Sequence, residues 1–289
     1  MFEIELILLI LAFIVTIVAV ISDIKTTEVP DYANYFLIFS AVSLRILYSL
    51  ITKDWSFSLA ILDSFPIIFI LALAMYKLKQ WGGGDAKLLM SLSLALATYP
   101  SFLLNFFIPK NIFFFPITIF TNILIIGAVY SLIYAIIITV KNRKKFLKPF
   151  KEVLRNKFKL QVSMLVIIFL VAAMLEVLKL PKLILLIISA SPIILFYIYI
   201  FIKTVETTCL IKRIPPEKLM EGDLILEDII YKNKLIHKKY QDLTEKQLNL
   251  IKRTNIETIK IKQGIIFTPA FLISLIISLI FGNLFLYLI

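Results

Sequence analysis

The sequence predicts an all-α polytopic membrane protein with about eight transmembrane helices and a small cytoplasmic α+β module. Two features of the composition indicate this fold class. Of the 289 residues, 60% are hydrophobic and only 17% are charged, whereas soluble domains have about 45–50% and about 25%. The third observation is that the hydrophobic residues gather in runs long enough to cross a bilayer.

Each predicted helix corresponds to an apolar run of about 20 residues, the length that spans the hydrocarbon core of a bilayer. The runs lie at about 4–22, 32–51, 58–76, 86–107, 113–140, 160–178, 182–202 and 265–288. The third and fourth runs are less uniform than the others, so seven or nine helices remain alternatives. The first run follows Glu3 and Glu5 rather than a basic segment, so we expect a membrane helix and not a cleaved signal peptide.

The runs divide the chain into three predicted domains. Residues 1–202 form a transmembrane catalytic domain of seven helices, 203–264 a cytoplasmic soluble module, and 265–289 a C-terminal transmembrane helix. Within the module, Thr244 followed three residues later by Gln247 predicts the capped start of a short helix.

Positive charge is concentrated in the polar segments, and this predicts the orientation. Residues 141–159 hold nine Lys or Arg and one Glu, and the segments 77–87 and 203–263 are also rich in basic residues. Because basic loops remain in the cytoplasm, we expect a multi-pass plasma-membrane protein with both termini outside. Topology and contact with membrane lipid account for the net charge of +12, and nucleic-acid binding is not expected.

Two aspartates lie at the predicted cytoplasmic ends of membrane helices. Asp23 follows the first apolar run, and Asp85 begins the fourth. Acids at such positions are candidates for function. Two close carboxyls share a proton, so that the ionised one activates a water while the protonated one polarises a carbonyl. The single cysteine, Cys209, and the single histidine, His237, exclude a thiolate zinc cluster or a multi-histidine metal site; no cofactor is expected.

Three glycines, Gly82, Gly83 and Gly84, stand directly before Asp85. A backbone without Cβ reaches positive φ and lets an extended peptide approach closely. The alternative is a flexible loop that only connects two helices. On spacing alone, both interpretations remain open.

Two stretches resemble the type IV prepilin peptidase family, which belongs to the GxGD aspartic proteases. "GGGDAKLL" resembles the G-x-G-D signature, and "SDIKTTEVPDYAN" resembles the first catalytic segment, with an Asp, a basic residue two positions on and a later Pro. The C-terminal "KQGIIFTPAFLISLII" is similar to the tail of archaeal members, which include preflagellin peptidases. The resemblance implies that Asp23 and Asp85 are catalytic. Gly82 and Gly84 match the two fixed glycines of the motif. We also expect motif or substrate-binding roles for Gly83, Lys25, Glu28, Pro30, Asp31 and Lys87.

The family resemblance implies an activity and partners. The expected reaction is removal of short basic leader peptides from pilin-like or preflagellin precursors at the cytoplasmic membrane face. We expect the acidic first loop to hold the cationic leader. Asp23 lies near the C-terminal end of its helix and Asp85 near an N-terminus, so the helix dipoles predict Asp85 as the ionised base and Asp23 as its protonated partner.

Two alternatives remain open. A presenilin-like or signal-peptide-peptidase-like protease cuts inside the bilayer, and "FTPAF" faintly resembles the Pro-Ala-Leu element of such enzymes. In those relatives a Tyr precedes the first Asp, whereas Ser22 stands here. Pro269 within "FTPAF" is expected to kink the last helix. The other alternative is a carrier that uses both aspartates to bind protons or cations.

Overall fold

The computed structural model describes residues 2–110, 114–177, 182–231, 234–254 and 256–287. The chain forms two compact units. The first unit comprises Met1–Ser131 and Ile265–Ile289; the second comprises Leu132–Gly264. The predicted domain boundaries near residues 202 and 264 remain predictions.

The described residues are mainly helical, with a small region of sheet. The helices are α1 Phe2–Thr26, α2 Asp31–Thr52, α3 Ser56–Lys77, α4 Gly83–Ala95, α5 Phe115–Lys141, α6 Arg143–Asn156, α7 Phe158–Val177, α8 Lys182–Thr208, α9 Glu245–Ile251 and α10 Thr268–Phe281. The strands are β1 Ile211–Ile214, β2 Leu224–Ile225, β3 Ile229–Tyr231, β4 Lys234–His237, β5 Gln241–Asp242 and β6 Ile259–Lys262. Short 3-10 turns are formed by Ser101–Asn105, Pro216–Lys218 and Leu284–Tyr287.

Five of the described helices are long and apolar enough to cross a membrane: α1, α2, α3, α5 and the part of α8 from Ile188 to Thr208. Two shorter apolar helices are Phe158–Val171 and α10. The mainly helical membrane-protein class with a small sheet region is therefore confirmed. The count of eight membrane helices remains a prediction.

The fourth apolar run is not one continuous helix. Helix α4 ends at Ala95, and a 3-10 turn begins at Ser101. Pro100 accounts for part of this break, because proline disfavours helical backbone at the residue before it.

The expected kink at Pro269 is also wrong. Pro269 lies in the first turn of α10, where its missing N–H costs no helical hydrogen bond.

Helix α4 forms the centre of the first unit and packs against α1, α2 and α3. Leu88 and Leu92 are completely buried, although the segment has no amphipathic stripe. Small residues on the neighbouring helices, such as Ala12, Ala41 and Ala72, are also fully buried and let the backbones approach closely. This packing fixes the position of the first turn of α4, which contains Asp85.

A buried arginine supports the C-terminal end of α4. The side chain of Arg45 is 1% exposed and donates hydrogen bonds to the carbonyls of Leu94 at 3.2 Å, Ala95 at 3.1 Å and Phe57 at 2.8 Å. Its guanidinium carbon also lies 4.1 Å from the centre of the Phe57 ring. The side chain thus satisfies the carbonyls of Leu94 and Ala95, which the buried C-terminal end of α4 leaves without helical partners.

The second unit contains the predicted small sheet region. Its four-stranded antiparallel sheet has the order β1-β6-β2-β5, and β3 and β4 form a separate hairpin. Ile225, Ile251 and Ile259 are fully buried in its core. The predicted capped helix is confirmed as α9: the Thr244 hydroxyl accepts from the Gln247 N–H, and the Gln247 side chain accepts from the Thr244 N–H.

Candidate active site

Asp23 lies near the C-terminal end of α1 and is 7% exposed. Its Oδ2 atom accepts two hydrogen bonds from Thr268, one from the backbone N–H at 3.2 Å and one from the hydroxyl at 2.9 Å. Thr268 is the first residue of α10 and is completely buried. The carboxylate of Asp23 therefore sits at the N-terminal end of α10, where free N–H groups are available.

Asp85 lies in the first turn of α4, before the apolar segment 86–107, and the residue as a whole is half-buried. Its Oδ2 atom accepts the Gly82 N–H at 3.1 Å, which satisfies a donor at the start of the helix. Burial of the carboxyl, and then the charge of Asp23, raise the pKa of Asp85 to about 7. The two aspartates therefore lie at the same end of the first unit and interact electrostatically.

The three glycines have different surroundings. A Cβ atom on Gly84 would lie 2.7 Å from the Val29 Cβ and 3.2 Å from the Val29 carbonyl oxygen, whereas one on Gly83 would lie 3.6 Å from its nearest neighbour, the Tyr76 ring. Only Gly84 is required by close packing. The expectation of positive φ is not met: Gly82 has φ −69° and Gly83 and Gly84 are helical.

Asn34 on α2 faces the same glycine. Its side chain is completely buried, and its Nδ2 atom donates to the Gly84 carbonyl at 3.4 Å. Its Oδ1 atom has no hydrogen-bond partner among the described residues. Asn34 and Val29 thus join the start of α2 to the start of α4.

All but one of the other predicted site residues lie at the chain connection between α1 and α2; the exception is Lys87 on α4. Lys25 and Glu28 are exposed, and Pro30 is the residue that precedes α2. Asp31 forms an ion pair with Lys87 of α4, with 2.6 Å between the Lys87 Nζ and the Asp31 Oδ2. The structure therefore brings Asp31 and Lys87 together, and Asp31 already has a positive partner within the chain.

Sequence reasoning missed the groups that join the glycine motif to α10. Trp81, directly before the glycines, is 6% exposed. Its ring centre lies 5.4 Å from that of Phe271 and 6.0 Å from that of Phe267. The Thr-Pro pair at 268–269 is a signal for a helix start, but the sequence alone does not show that Asp23 lies beside it.

Comparison with known proteins supports the predicted resemblance. A model of the type IV leader peptidase family matches residues 10–138, which include Asp23 and Asp85. A prepilin peptidase from Methanothermobacter thermautotrophicus is 26% identical over 237 residues, covering 80% of this chain and 58% of the relative. A preflagellin peptidase from Methanococcus maripaludis is 33% identical over 117 residues, covering 37% of this chain and 47% of the relative. The chain thus spans about half the length of the curated relatives it matches. No solved structure shows a significant match.

Proposed function

We propose, from the confirmed resemblance to the type IV leader peptidase family, that this chain is a membrane aspartic endopeptidase. In this proposal it removes the short basic leader from prepilin-like or preflagellin-like precursors at the cytoplasmic face of the plasma membrane. The observation that supports it most is the pairing of Asp23 and Asp85. These residues lie 62 positions apart in the chain, yet their helices α1 and α4 pack against each other and the charge of Asp23 raises the pKa of Asp85.

The proposed reaction is hydrolysis of one peptide bond by water. The ionised carboxyl takes a proton from the water, whose oxygen attacks the scissile carbonyl carbon, while the other carboxyl gives its proton to the carbonyl oxygen. In the second step the C–N bond breaks. The leaving nitrogen takes the proton that came from water, and the diol returns a proton to the second carboxyl. Both carboxyls then have their starting protonation states.

The proposed substrate has a hydrophobic helix next to a cationic leader. The helix of the precursor would lie in lipid beside the apolar helices, and its leader would meet the acidic connection between α1 and α2. Glu28 is exposed there, whereas Asp31 is bound to Lys87. Glu28 is therefore the first candidate to hold a basic leader residue, and Gly84 is assigned to packing of the motif rather than to contact with the substrate.

The activity is tested directly with purified protein in detergent and a pilin-like precursor that retains its leader. Mass spectrometry of the products is expected to show one cut at the junction of the leader and the hydrophobic segment. An intact precursor under conditions where the protein is folded would contradict the proposal and favour a proton or cation carrier. Proton uptake by vesicles containing the protein would then test the carrier.

Two substrate series separate this activity from intramembrane proteolysis. Neutralising the leader charges should slow a leader peptidase, whereas helix-breaking residues within the hydrophobic segment should change cleavage by a presenilin-like enzyme. Cuts within the hydrophobic segment that depend on its helix stability would contradict the leader-peptidase proposal.

A further inference from the structure

The N-terminus of α10 contributes to the aspartate pair from far along the chain. Thr268 is 245 residues from Asp23 and lies outside the segment 10–138 that matches the family model. Both of its donors, the backbone N–H and the hydroxyl, point to the same oxygen, Oδ2 of Asp23. Both side chains are buried, so water does not readily replace these bonds.

Hydrogen bonds of this kind favour the ionised carboxylate. A carboxylate accepts hydrogen bonds more strongly than a protonated carboxyl, and a helix N-terminus favours negative charge. The dipole of α1 has the opposite effect and disfavours a negative charge on Asp23. Unlike Thr268, however, it acts on the carboxylate without a hydrogen bond. The prediction that considered only α1 and α4 therefore omitted the helix whose end touches the carboxylate.

The remaining charged groups near Asp23 do not reverse this preference. Helix α4 places Asp85 beside it. Lys25, on the same helix as Asp23, is exposed, and Asp31 of α2 is exposed and paired with Lys87. Helix α10 has no titratable side chain. Thr268 thus supplies the donors that distinguish Asp23 from Asp85, whose Oδ2 has one backbone donor from Gly82.

We propose that Thr268 is a positioning residue that holds Asp23 as the ionised base, which leaves Asp85 as the proton-bearing acid. This assignment rests on the proposed function and reverses the one that the dipoles of α1 and α4 predict. The raised pKa of Asp85 agrees with it, because burial beside a charged Asp23 favours the protonated form of Asp85.

The first test compares the pH dependence of cleavage for Thr268→Val and Thr268→Ser. Valine keeps the shape of the side chain but loses the hydroxyl donor. A hydrogen bond to a charged acceptor is equivalent to a shift of about one to two pH units. The acid limb of kcat/KM is expected to move up by about that amount in Thr268→Val and to stay near the wild-type position in Thr268→Ser. Ser274→Ala is the control: it removes another buried hydroxyl of α10, one without a hydrogen-bond partner among the described residues.

A loss of activity by the same factor at every pH would overturn the proposal, because it would show a structural role only. The second test needs no activity. Infrared titration in the Asp85→Asn background follows the Asp23 carboxyl, and adding Thr268→Val or Thr268→Ala is expected to move its midpoint to higher pH. An unchanged midpoint would overturn the assignment. If wild-type protein cleaves no precursor, the proposed function fails while the infrared test still decides the role of Thr268.

Discussion

Replacing Gly84 by alanine tests the packing that positions Asp85. The added Cβ would lie 2.7 Å from the Val29 Cβ and 3.2 Å from its carbonyl oxygen. The first distance is well below a normal contact of about 3.5–4.0 Å. Since the neighbour is backbone and a branched side chain, the connection between α1 and α2 must move, and the first turn of α4 with it.

Gly83→Ala is the matched control, because its Cβ would lie 3.6 Å from the Tyr76 ring, an ordinary contact. Both changes add the same methyl group to the first turn of α4, so their helix-propensity gains are similar and cancel in the comparison. Overpacking costs about 1–3 kcal/mol. We therefore expect Gly84→Ala to be less stable than Gly83→Ala by about that amount.

The effect on cleavage should be larger than the effect on stability. A shift of about 1 Å in a catalytic group costs on the order of 10²-fold in rate, and Asp85 directly follows Gly84. Thermal unfolding in detergent and kcat/KM on a pilin-like precursor measure the two effects. Equal stability and equal kcat/KM for Gly84→Ala and Gly83→Ala would refute the steric reasoning.

Three further predictions concern the pH dependence of stability, a buried charge and the leader charges. Asp85 has a pKa of about 7 in the folded protein and about 3.9 when unfolded, so the free energy of unfolding of the wild type falls as pH rises between these values. The difference in melting temperature between Asp85→Asn and the wild type should therefore grow in favour of the variant over this window and then level off. A difference that does not change with pH would contradict this prediction. Arg45→Met leaves buried carbonyls without donors and should lower the free energy of unfolding by about 3 kcal/mol or more. An unchanged melting temperature would show instead that the carbonyls find other partners. Glu28→Gln should reduce the cleavage of lysine-rich leaders more than that of neutral leaders. Its effect should also exceed that of Asp31→Asn, because Lys87 already binds Asp31. Equal losses on both leader types would exclude a role for Glu28 in binding the leader.

The sequence predicts the placement of the two aspartates better than the contacts around them. Asp23 and Asp85 stand at the ends of apolar runs, and three helices between the start of the chain and Gly82 bring them to the same end. That result depends only on the two helices between the aspartates, α2 and α3, which two apolar runs of the sequence predict. The family signature adds Gly84, whose close approach to Val29 gives a physical reason for a glycine at that position.

What the sequence does not predict depends on contacts between distant segments. Thr268 touches Asp23 across 245 residues, and no local pattern encodes that contact. Arg45 from another helix donates to the carbonyl at the end of α4, whereas hydropathy alone would continue the helix to residue 107. The helix-dipole argument for the aspartates failed to include α10 for the same reason.

The most direct test of the central claim is cleavage of a pilin-like precursor by Asp23→Asn and Asp85→Asn. Asp63→Asn provides the control, because Asp63 is an exposed acid within the apolar helix α3. The account predicts loss of cleavage in both variants of the pair, with folded protein in each case, and wild-type cleavage in Asp63→Asn. Cleavage at the wild-type rate by either Asp23→Asn or Asp85→Asn would contradict the assignment of the two residues as the catalytic pair.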